Sequence, residues 1–316
     1  MTPPRTVLYA ALLTVVIAAR GGAQTTPTLR QVLAEHARGE PARELAGLDA
    51  PITSFAVHDS SDALVIAYYV RTSDQNALGE SLYVARLDKR SRRWDHAAIP
   101  TARSSKSTGD APLILGSVLG IHRTRTRIYL DTHVNPSAGI VVVLDDKLRP
   151  VATLYGWVLR TLPNDVAIYH RSEIHFAPLH PAEVWLYDPS SGRNTVLYPR
   201  TPYDRIRRDY ASHVKDVYAG LGEAWFRSHN YPMDPELFDS AVGDTVVTSP
   251  NGDRAAFVVT FGDRDASVMK LPVVDVAVAC RDLRSRVPRC AETEMSALRS
   301  AHPDWPVARI LTSLVR

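Results

Sequence analysis

Cysteine is almost absent from the chain, since only two of the 316 residues are cysteines. Two cysteines exclude a disulfide-dense scaffold and a four-cysteine zinc site. The 37 basic and 34 acidic residues nearly cancel, so the composition gives no support to a nucleic-acid partner. A Gly-x-Ser-x-Gly elbow, a His-Glu-x-x-His helix, a P-loop and a dinucleotide fingerprint are also missing. The sequence therefore predicts no cofactor and no metal site, and it leaves open whether the protein is an enzyme.

Long apolar runs are confined to the start of the sequence. Residues 1–23 have the layout of a secretory signal: Arg5 is the positive n-region, Val7–Ala19 is a 13-residue apolar run, and Gly21–Ala23 offers small residues for cleavage. Thirteen helical residues span about 20 Å, which is less than the hydrocarbon core of a bilayer. We therefore expect export, no membrane span after cleavage, and a periplasmic or extracellular location. An uncleaved anchor is the alternative.

In an oxidising compartment Cys280 and Cys290 are expected to form a disulfide. The two residues flank a short loop that contains Pro288, and their spacing is not Cys-x-x-Cys. A structural bridge is therefore favoured over a redox site, with two buried or unpaired thiols as the alternative.

Strand patterning dominates the chain after a predicted helix at residues 28–39, for which Thr28 is the expected cap. Runs rich in Val, Ile, Tyr and Phe then alternate with turn sequences. The third run in each group of four ends in an apolar residue followed by aspartate, at Asp88, Asp145 and Asp188. This spacing indicates an internal repeat of the length of a propeller blade.

The repeat predicts a mainly β protein: a small β-propeller of about four blades, each of four antiparallel strands, with a helical insertion before the last blade. The expected organisation is a leader at 1–23, an N-terminal helix and lead-in at 24–50, and a propeller-like domain at 51–316 that carries the insertion at 201–242. Two alternatives stay open: a further blade with strands at 305–316, and an open β-sandwich or stack of hairpins in place of the ring.

A predicted hairpin at residues 244–261 carries the most specific motif. Ser249–Phe257 (SPNGDRAAF) resembles the Ser-Pro-Asp-Gly-x-x-Ile-Ala-Phe signature of WD-like β-propeller repeats of the TolB type. Glu183–Leu197 is similar to the strand-Asp-x-x-Ser-Gly-strand half of such a repeat, although Asn251 stands where these repeats usually have Asp. The resemblance implies a propeller-like fold over residues 45–290 and a role in recognition, and it does not fix an activity.

The insertion is the predicted binding region. An amphipathic helix predicted at 203–221 is followed by an aromatic segment, in which Trp225, His229 and Tyr231 are the candidate binding residues. Burial of these aromatics against the neighbouring blades is the structural alternative. The favoured function is a non-catalytic binding or scaffold module that engages a protein or glycan of the cell envelope. The alternative is a hydrolase or lyase that acts on glycans or peptides in the propeller channel.

Histidines and aspartates do not select a metal site. His170, His175 and His180 are evenly spaced, but the predicted strand and turns would hold the outer pair far beyond the ~2 Å reach of metal ligands. Aspartates at turns, such as Asp145 and Asp146, are expected to bond their own backbone.

Overall fold

The computed structural model describes most of the chain beyond the predicted leader, in separate segments. The described residues are 26–37, 43–71, 80–99, 116–134, 138–171, 183–199, 209, 212, 215–217, 219–229, 240–261 and 273–316. The leader at 1–23, the candidate residue Tyr231, and the histidines His175 and His180 lie outside these segments.

Antiparallel strands dominate the described residues, so the prediction of a mainly β protein is confirmed. The first sheet contains β1 (Ile52–Asp59), β2 (Ala63–Arg71), β3 (Glu80–Asp88) and β4 (Arg93–Ile99). The second contains β5 (Gly116–Arg123), β6 (Ile128–Val134), β7 (Ala138–Leu144), β8 (Pro150–Thr161), β9 (Ala167–Arg171), β10 (Glu183–Asp188) and β11 (Arg193–Tyr198). The third contains β12 (Ser240–Val242), β13 (Val247–Thr248), β14 (Arg254–Phe261), β15 (Val274–Arg281) and β16 (Arg289–Glu294). The helices with described bounds are α1 (Leu29–His36), α2 (Glu223–His229), α3 (Met295–Ala301) and α4 (Val307–Leu314).

Strand β8 changes its partner halfway along its length. Residues 150–155 pair with β7, and residues 156–161 pair with β9. The change occurs at Gly156, which has a φ of +132° and lies so close to the carbonyl oxygen of His170 that a Cβ atom would be 1.8 Å from it. Only glycine fits this combination of backbone angle and close approach.

The strands therefore form four layers. Layer 1 is β1–β4, layer 2 is β5–β7 with residues 150–155, layer 3 is residues 156–161 with β9–β11, and layer 4 is β12–β16. Layers 2 and 3 share one continuous strand and are hydrogen-bonded into a single sheet of seven strands.

Buried apolar side chains fill the space between successive layers. The clusters include Tyr69 and Leu130 between layers 1 and 2, Tyr129 and Tyr169 between layers 2 and 3, and Leu186 and Phe257 between layers 3 and 4. Adjacent residues such as Tyr129 and Leu130 belong to different clusters because successive side chains of a strand point to opposite faces. The hydrophobic core is thus divided into separate clusters of side chains, one between each pair of successive layers.

Helices cover the two outer faces of this stack. Leu29 and Leu33 of α1 pack against layer 1, and Ile310 and Leu311 of α4 pack against layer 4. The layers therefore stand in a row with helices at each end. Closure of this row into the predicted propeller ring is not shown.

Helix α1 lies where the sequence predicts a helix, and Thr28 caps it. The Thr28 hydroxyl accepts from the Gln31 backbone N–H at 3.3 Å, and the Gln31 side chain accepts from the Thr28 N–H at 2.7 Å. At the other end of the chain, the alternative of strands at 305–316 is wrong. Ile310, Leu311 and Leu314 share one helical face that packs against layer 4, so this segment forms α4.

The repeated aspartates stabilise the turn that follows the third strand of a group. Each carboxylate accepts hydrogen bonds from backbone N–H groups two to four residues further along, at 2.8 Å for Asp88 and at 2.9 Å for Asp145 and Asp188. This local contact explains why aspartate recurs at that position.

The insertion contributes helical residues that pack against the layers. Every described residue from 209 to 221 is helical, and α2 follows. Val217, Leu221 and Trp225 are partly buried against the cluster between layers 3 and 4. None of the helices in the described segments is long and apolar enough to cross a membrane.

The predicted disulfide is confirmed. Cys280 on β15 lies directly opposite Cys290 on β16, and their sulfur atoms are bonded. The bridge joins the two last strands of layer 4 next to the loop that connects them, so it restricts this hairpin as expected for a structural staple.

Removal of the bridge should weaken the fold by a measurable amount. Replacement of both Cys280 and Cys290 by alanine is expected to lower the free energy of unfolding by about 2–3 kcal/mol, because the unfolded chain loses a loop constraint. Urea unfolding measures the change. Dithiothreitol should destabilise the wild type to the same extent and leave the double variant unchanged; an unaltered midpoint in both would show that the bridge does not constrain the chain.

Candidate functional site

The turns at one end of layers 1 and 2 are joined by an ion pair. Both terminal nitrogens of Arg123, at the end of β5, donate to the Asp62 carboxylate at 2.7 Å. Asp62 lies in the turn between β1 and β2, and it also accepts from Ser60 at 2.8 Å. The hydrogen bonds from Arg123 and then Ser60 hold the pKa of Asp62 well below its usual value. At this junction the guanidinium group is thus paired with a carboxylate of the same chain.

A second carboxylate joins layers 2 and 3. Asp165, before β9, accepts from the Thr124 hydroxyl at 2.5 Å, the Thr126 hydroxyl at 2.6 Å and the Thr126 backbone N–H at 2.9 Å. Burial raises the pKa of Asp165, but the hydrogen bonds from Thr124 and Thr126 outweigh it, so the pKa lies below its usual value. Its backbone oxygen also accepts from the Tyr129 hydroxyl.

Between layers 3 and 4 the corresponding turns enclose a cleft of about 190 Å³. The turns approach closely here because Gly252 has no side chain: a Cβ atom would lie 2.8 Å from Cδ of Pro163. The apolar lining comes from Leu162, Pro163, Val166, Leu186 and Leu283, and the polar lining from Asn164, Asp188, Ser190, Arg193 and Arg284.

The two arginines of the cleft contact backbone carbonyls in place of a carboxylate. A terminal nitrogen of Arg193 donates to the Ser285 oxygen at 3.3 Å, and one of Arg284 donates to the Asn251 oxygen at 2.6 Å. The Nε atom of Arg193 is buried and has no hydrogen-bond partner within the described segments. The cleft therefore presents two guanidinium groups, and with them positive charge, to an anion.

Asp188, the one acidic side chain among the lining residues, accepts hydrogen bonds from its own turn. The Asp188 carboxylate accepts from the Ser190 N–H at 2.9 Å, the Ser190 hydroxyl at 2.7 Å and the Ser191 hydroxyl at 2.8 Å. Burial raises the pKa of Asp188, and the serine hydrogen bonds lower it by more, so its pKa is below the usual value. Asp188 thus remains ionised, and its oxygens already have donors.

A separate polar pair lies on β5 and β6, the first two strands of layer 2. His122 Nε2 is 2.8 Å from Asp131 Oδ2, and the Val158 N–H of layer 3 donates to Asp131 Oδ1 at 3.1 Å. Asp131 is buried, and His122 is one-third exposed, at 33% of its side chain. The pKa of the nearby His58 is lowered, mainly by burial and next by the charge of Arg123. A buried carboxylate that orients an accessible imidazole is an arrangement used by general bases, but no hydroxyl or thiol nucleophile is hydrogen-bonded to His122 in the described part of the chain.

Only one of the three residues predicted to bind a ligand has a described side chain. Trp225 is partly buried and packs against the cluster between layers 3 and 4. His229 ends α2, with its side chain outside the described structure, and Tyr231 also lies outside it. Their role in binding stays a prediction.

The histidine series provides no metal site in the described segments. His170 lies on β9, its ring is 5.9 Å from that of Trp157, and burial lowers its pKa to about 4. The described residues contain no group of three or more histidine, cysteine, aspartate or glutamate side chains that could hold a metal ion.

Sequence reasoning missed Arg193 and Arg284. Arg193 ends the polar turn after Asp188 and Arg284 lies in the loop between Cys280 and Cys290, so the two are 91 positions apart in the chain and belong to different layers. The signal available in the sequence was the concentration of arginine in residues 281–289, where four of nine residues are arginines.

No family model matches the chain, and no curated protein matches it. Among solved structures, a mutant of Synechocystis ACO aligns with a TM-score of 0.31 and 8% sequence identity. The alignment covers 80% of this chain and 52% of that chain, so this chain spans about half the length of that protein. A likeness this slight supports neither a shared fold nor a shared function.

Proposed function

We propose that the protein is a non-catalytic binding module that holds a carboxylate group of a protein partner in the cleft between layers 3 and 4. The observation that carries the proposal is that Arg193 and Arg284 both line the cleft and donate only to backbone oxygens within the described segments. Hydrogen bonds between a guanidinium and a carboxylate are stronger than those to a neutral oxygen. A bound carboxylate would offer these arginines two charged oxygens, which match the donors of a guanidinium group.

The other junctions of the molecule support this chemistry. Asp62 satisfies Arg123 between layers 1 and 2, and Asp165 satisfies Thr124 and Thr126 between layers 2 and 3. Between layers 3 and 4 the donors are present and Asp188 is already occupied by serines. A carboxylate from a partner would accept hydrogen bonds at this junction, as Asp62 and Asp165 of the chain itself do at the other two.

The size and lining of the cleft favour a side chain or a chain terminus. A volume of about 190 Å³ is below the roughly 300–1,000 Å³ of sites that enclose a small molecule. Leu162, Val166 and Leu283 provide an apolar wall for the methylene groups of a glutamate. An acidic side chain or the terminal carboxylate of a protein fits both features.

We further propose a periplasmic or extracellular location. We also propose that the four layers correspond to the blades of a small β-propeller. The disulfide supports the location, because such bonds persist in oxidising compartments, and the predicted leader agrees with it. Two observations support a likeness to propeller blades. An aspartate carboxylate bonds the backbone of the turn after the third strand, and residues 249–257 are similar to TolB-type repeats.

Arginine side-chain NMR tests the carboxylate proposal directly. Titration with acetyl-glutamyl amide is expected to shift the Nε–H signal of Arg193, whereas the uncharged acetyl-glutaminyl amide should leave it in place. Arg284→Gln should weaken the binding of acetyl-glutamyl amide about tenfold, because a hydrogen bond to a charged group contributes about 1.5 kcal/mol or more.

Arg286→Gln is the matched control for this titration. Arg286 is exposed and lies in the same loop as Arg284, but it does not line the cleft. Equal shifts from the charged and uncharged compounds, or equal weakening by Arg284→Gln and Arg286→Gln, would contradict a specific carboxylate site.

The His122–Asp131 pair favours a second candidate, a hydrolase that acts on peptides or glycans. In that case His122, oriented by the buried Asp131, would take a proton from an attacking water. Hydrolysis that His122→Gln abolishes and Arg193→Gln preserves would identify this function. Loss of carboxylate binding in Arg193→Gln without any hydrolytic activity in the wild type would favour the binding module.

A further inference from the structure

Three arginines lie side by side at one end of layer 4. Arg254 on β14 is directly opposite Arg281 on β15, which is directly opposite Arg289 on β16. Directly opposite residues of antiparallel strands point to the same face, with Cβ atoms about 5 Å apart. The three residues therefore form a row, the arginine row, on the face of layer 4 that packs against α4.

The arginine row lines a surface cavity that is separate from the carboxylate cleft. The cavity has a volume of about 360 Å³ and includes Leu314 of α4 in its lining. The cleft faces layer 3, whereas the arginine row is on the opposite face of layer 4, and the two sites share no lining residue.

The positive charge of the arginine row is only partly neutralised. Nε of Arg289 donates to Asp282 Oδ2 at 2.6 Å, and Arg254 donates to the backbone oxygen of Arg316. The central residue, Arg281, has no side-chain hydrogen bond or ion pair within the described segments. Arg281 is therefore the member of the row whose charge has no partner within the described segments.

Such a row destabilises the sheet when no anion is bound, because like charges directly opposite each other repel. β15 and β16 cannot relieve the repulsion between Arg281 and Arg289 by slipping, since the Cys280–Cys290 disulfide fixes their register at the neighbouring pair. Guanidinium groups held in a fixed row can donate several hydrogen bonds to one anion that carries more than one charge.

We propose that the arginine row binds a tetrahedral oxyanion, phosphate or sulfate, as the free ion or as an ester group of a larger molecule. The anion would contact Arg281 and the unused donors of Arg254 and Arg289. Arginine is suited to this task because its planar fork pairs with two oxygens of one phosphate or sulfate group.

Thermal unfolding tests this proposal in two ways, because Arg281→Gln should remove the effect of phosphate but raise the melting temperature in its absence. At ten times the dissociation constant, sodium phosphate or sulfate should raise the melting temperature of the wild type by about 2 °C or more over sodium chloride of equal ionic strength. Arg281→Gln should abolish that rise. In chloride alone the same variant should melt at a higher temperature than the wild type, because the central repulsion is gone.

Further variants separate a specific site from general charge effects. Arg281→Lys keeps the charge but loses the planar fork, so it should retain less than half of the phosphate effect. Arg286→Gln, in the adjacent loop, should retain all of it. An equal phosphate effect in the wild type and Arg281→Gln, or none in the wild type, would overturn the proposal.

The source of the oxyanion is distinguished with O-phosphoserine. Stabilisation by inorganic phosphate alone would support a site for the free ion. Equal stabilisation by O-phosphoserine would support recognition of an ester group that protrudes from a larger molecule.

Discussion

Gly156→Ala is expected to lower the free energy of unfolding by more than about 4 kcal/mol, or to prevent folding. A Cβ atom at this position would lie 1.8 Å from the carbonyl oxygen of His170, and the φ of +132° is itself unfavourable for alanine. The clash can be relieved only if β8 and β9 separate where layers 2 and 3 share a strand. Soluble yield and urea unfolding measure the effect.

Gly192→Ala is the matched control for the strained backbone angle. Gly192 also has a positive φ, of +66°, but a Cβ atom there would have no neighbour within 4 Å. Its replacement should cost about 1 kcal/mol. Similar losses in the two variants would mean that the backbone angle, and not the approach of β9, makes glycine necessary at position 156.

Asp165→Ala is expected to cost about 2–3 kcal/mol at neutral pH. The substitution removes three hydrogen bonds between layers 2 and 3 and leaves the donors of Thr124 and Thr126 without their acceptor. Asp165 also has a positive φ, of +66°, which asparagine tolerates better than alanine. Asp165→Asn should therefore lose less, and Asp146→Ala, at an exposed turn position, should stay within about 0.5 kcal/mol of the wild type.

The contribution of Asp165 should depend on pH in one direction. Because its pKa is lower in the folded protein than in the unfolded chain, its charge stabilises the fold above about pH 4. This stabilisation is lost as the pH falls through the folded-state pKa. The difference between the wild type and Asp165→Ala should shrink in acid; a constant difference from pH 7 to pH 3 would exclude a role for the charge.

Local contacts made part of the fold predictable. Asp88, Asp145 and Asp188 bond backbone groups within their own turns, so their spacing in the sequence reflects the spacing of third strands. Thr28 and Gln31 cap α1 within one helical turn. Signals of this kind lie within a few neighbouring residues, where a sequence pattern can register them.

Contacts between distant segments were not predictable in this way. The apolar run at residues 151–156 predicts a strand that ends at Gly156. The chain instead continues as β8, since the approach of the His170 carbonyl makes glycine necessary there. Similarly, the face on which Ile310 and Leu311 would be buried depends on layer 4, which no local pattern identifies.

The candidate sites show the same division. The disulfide was predictable because Cys280 and Cys290 lie close in sequence in a protein with no other cysteine. The cleft requires that the turns of layers 3 and 4 meet at Gly252 and Pro163. The His122–Asp131 pair lies diagonally across β5 and β6, where Gly120 is opposite Asp131, and the sequence pattern does not single out this pair.

The end helices have a consequence for how the protein behaves in solution. A layer with an uncovered apolar face can stack on the same face of another molecule, and repeated stacking would produce filaments. α1 and α4 turn their apolar sides inward and present Arg30, Glu35, Arg309 and Ser313 to water. These polar outer faces oppose such stacking at both ends of the described layers.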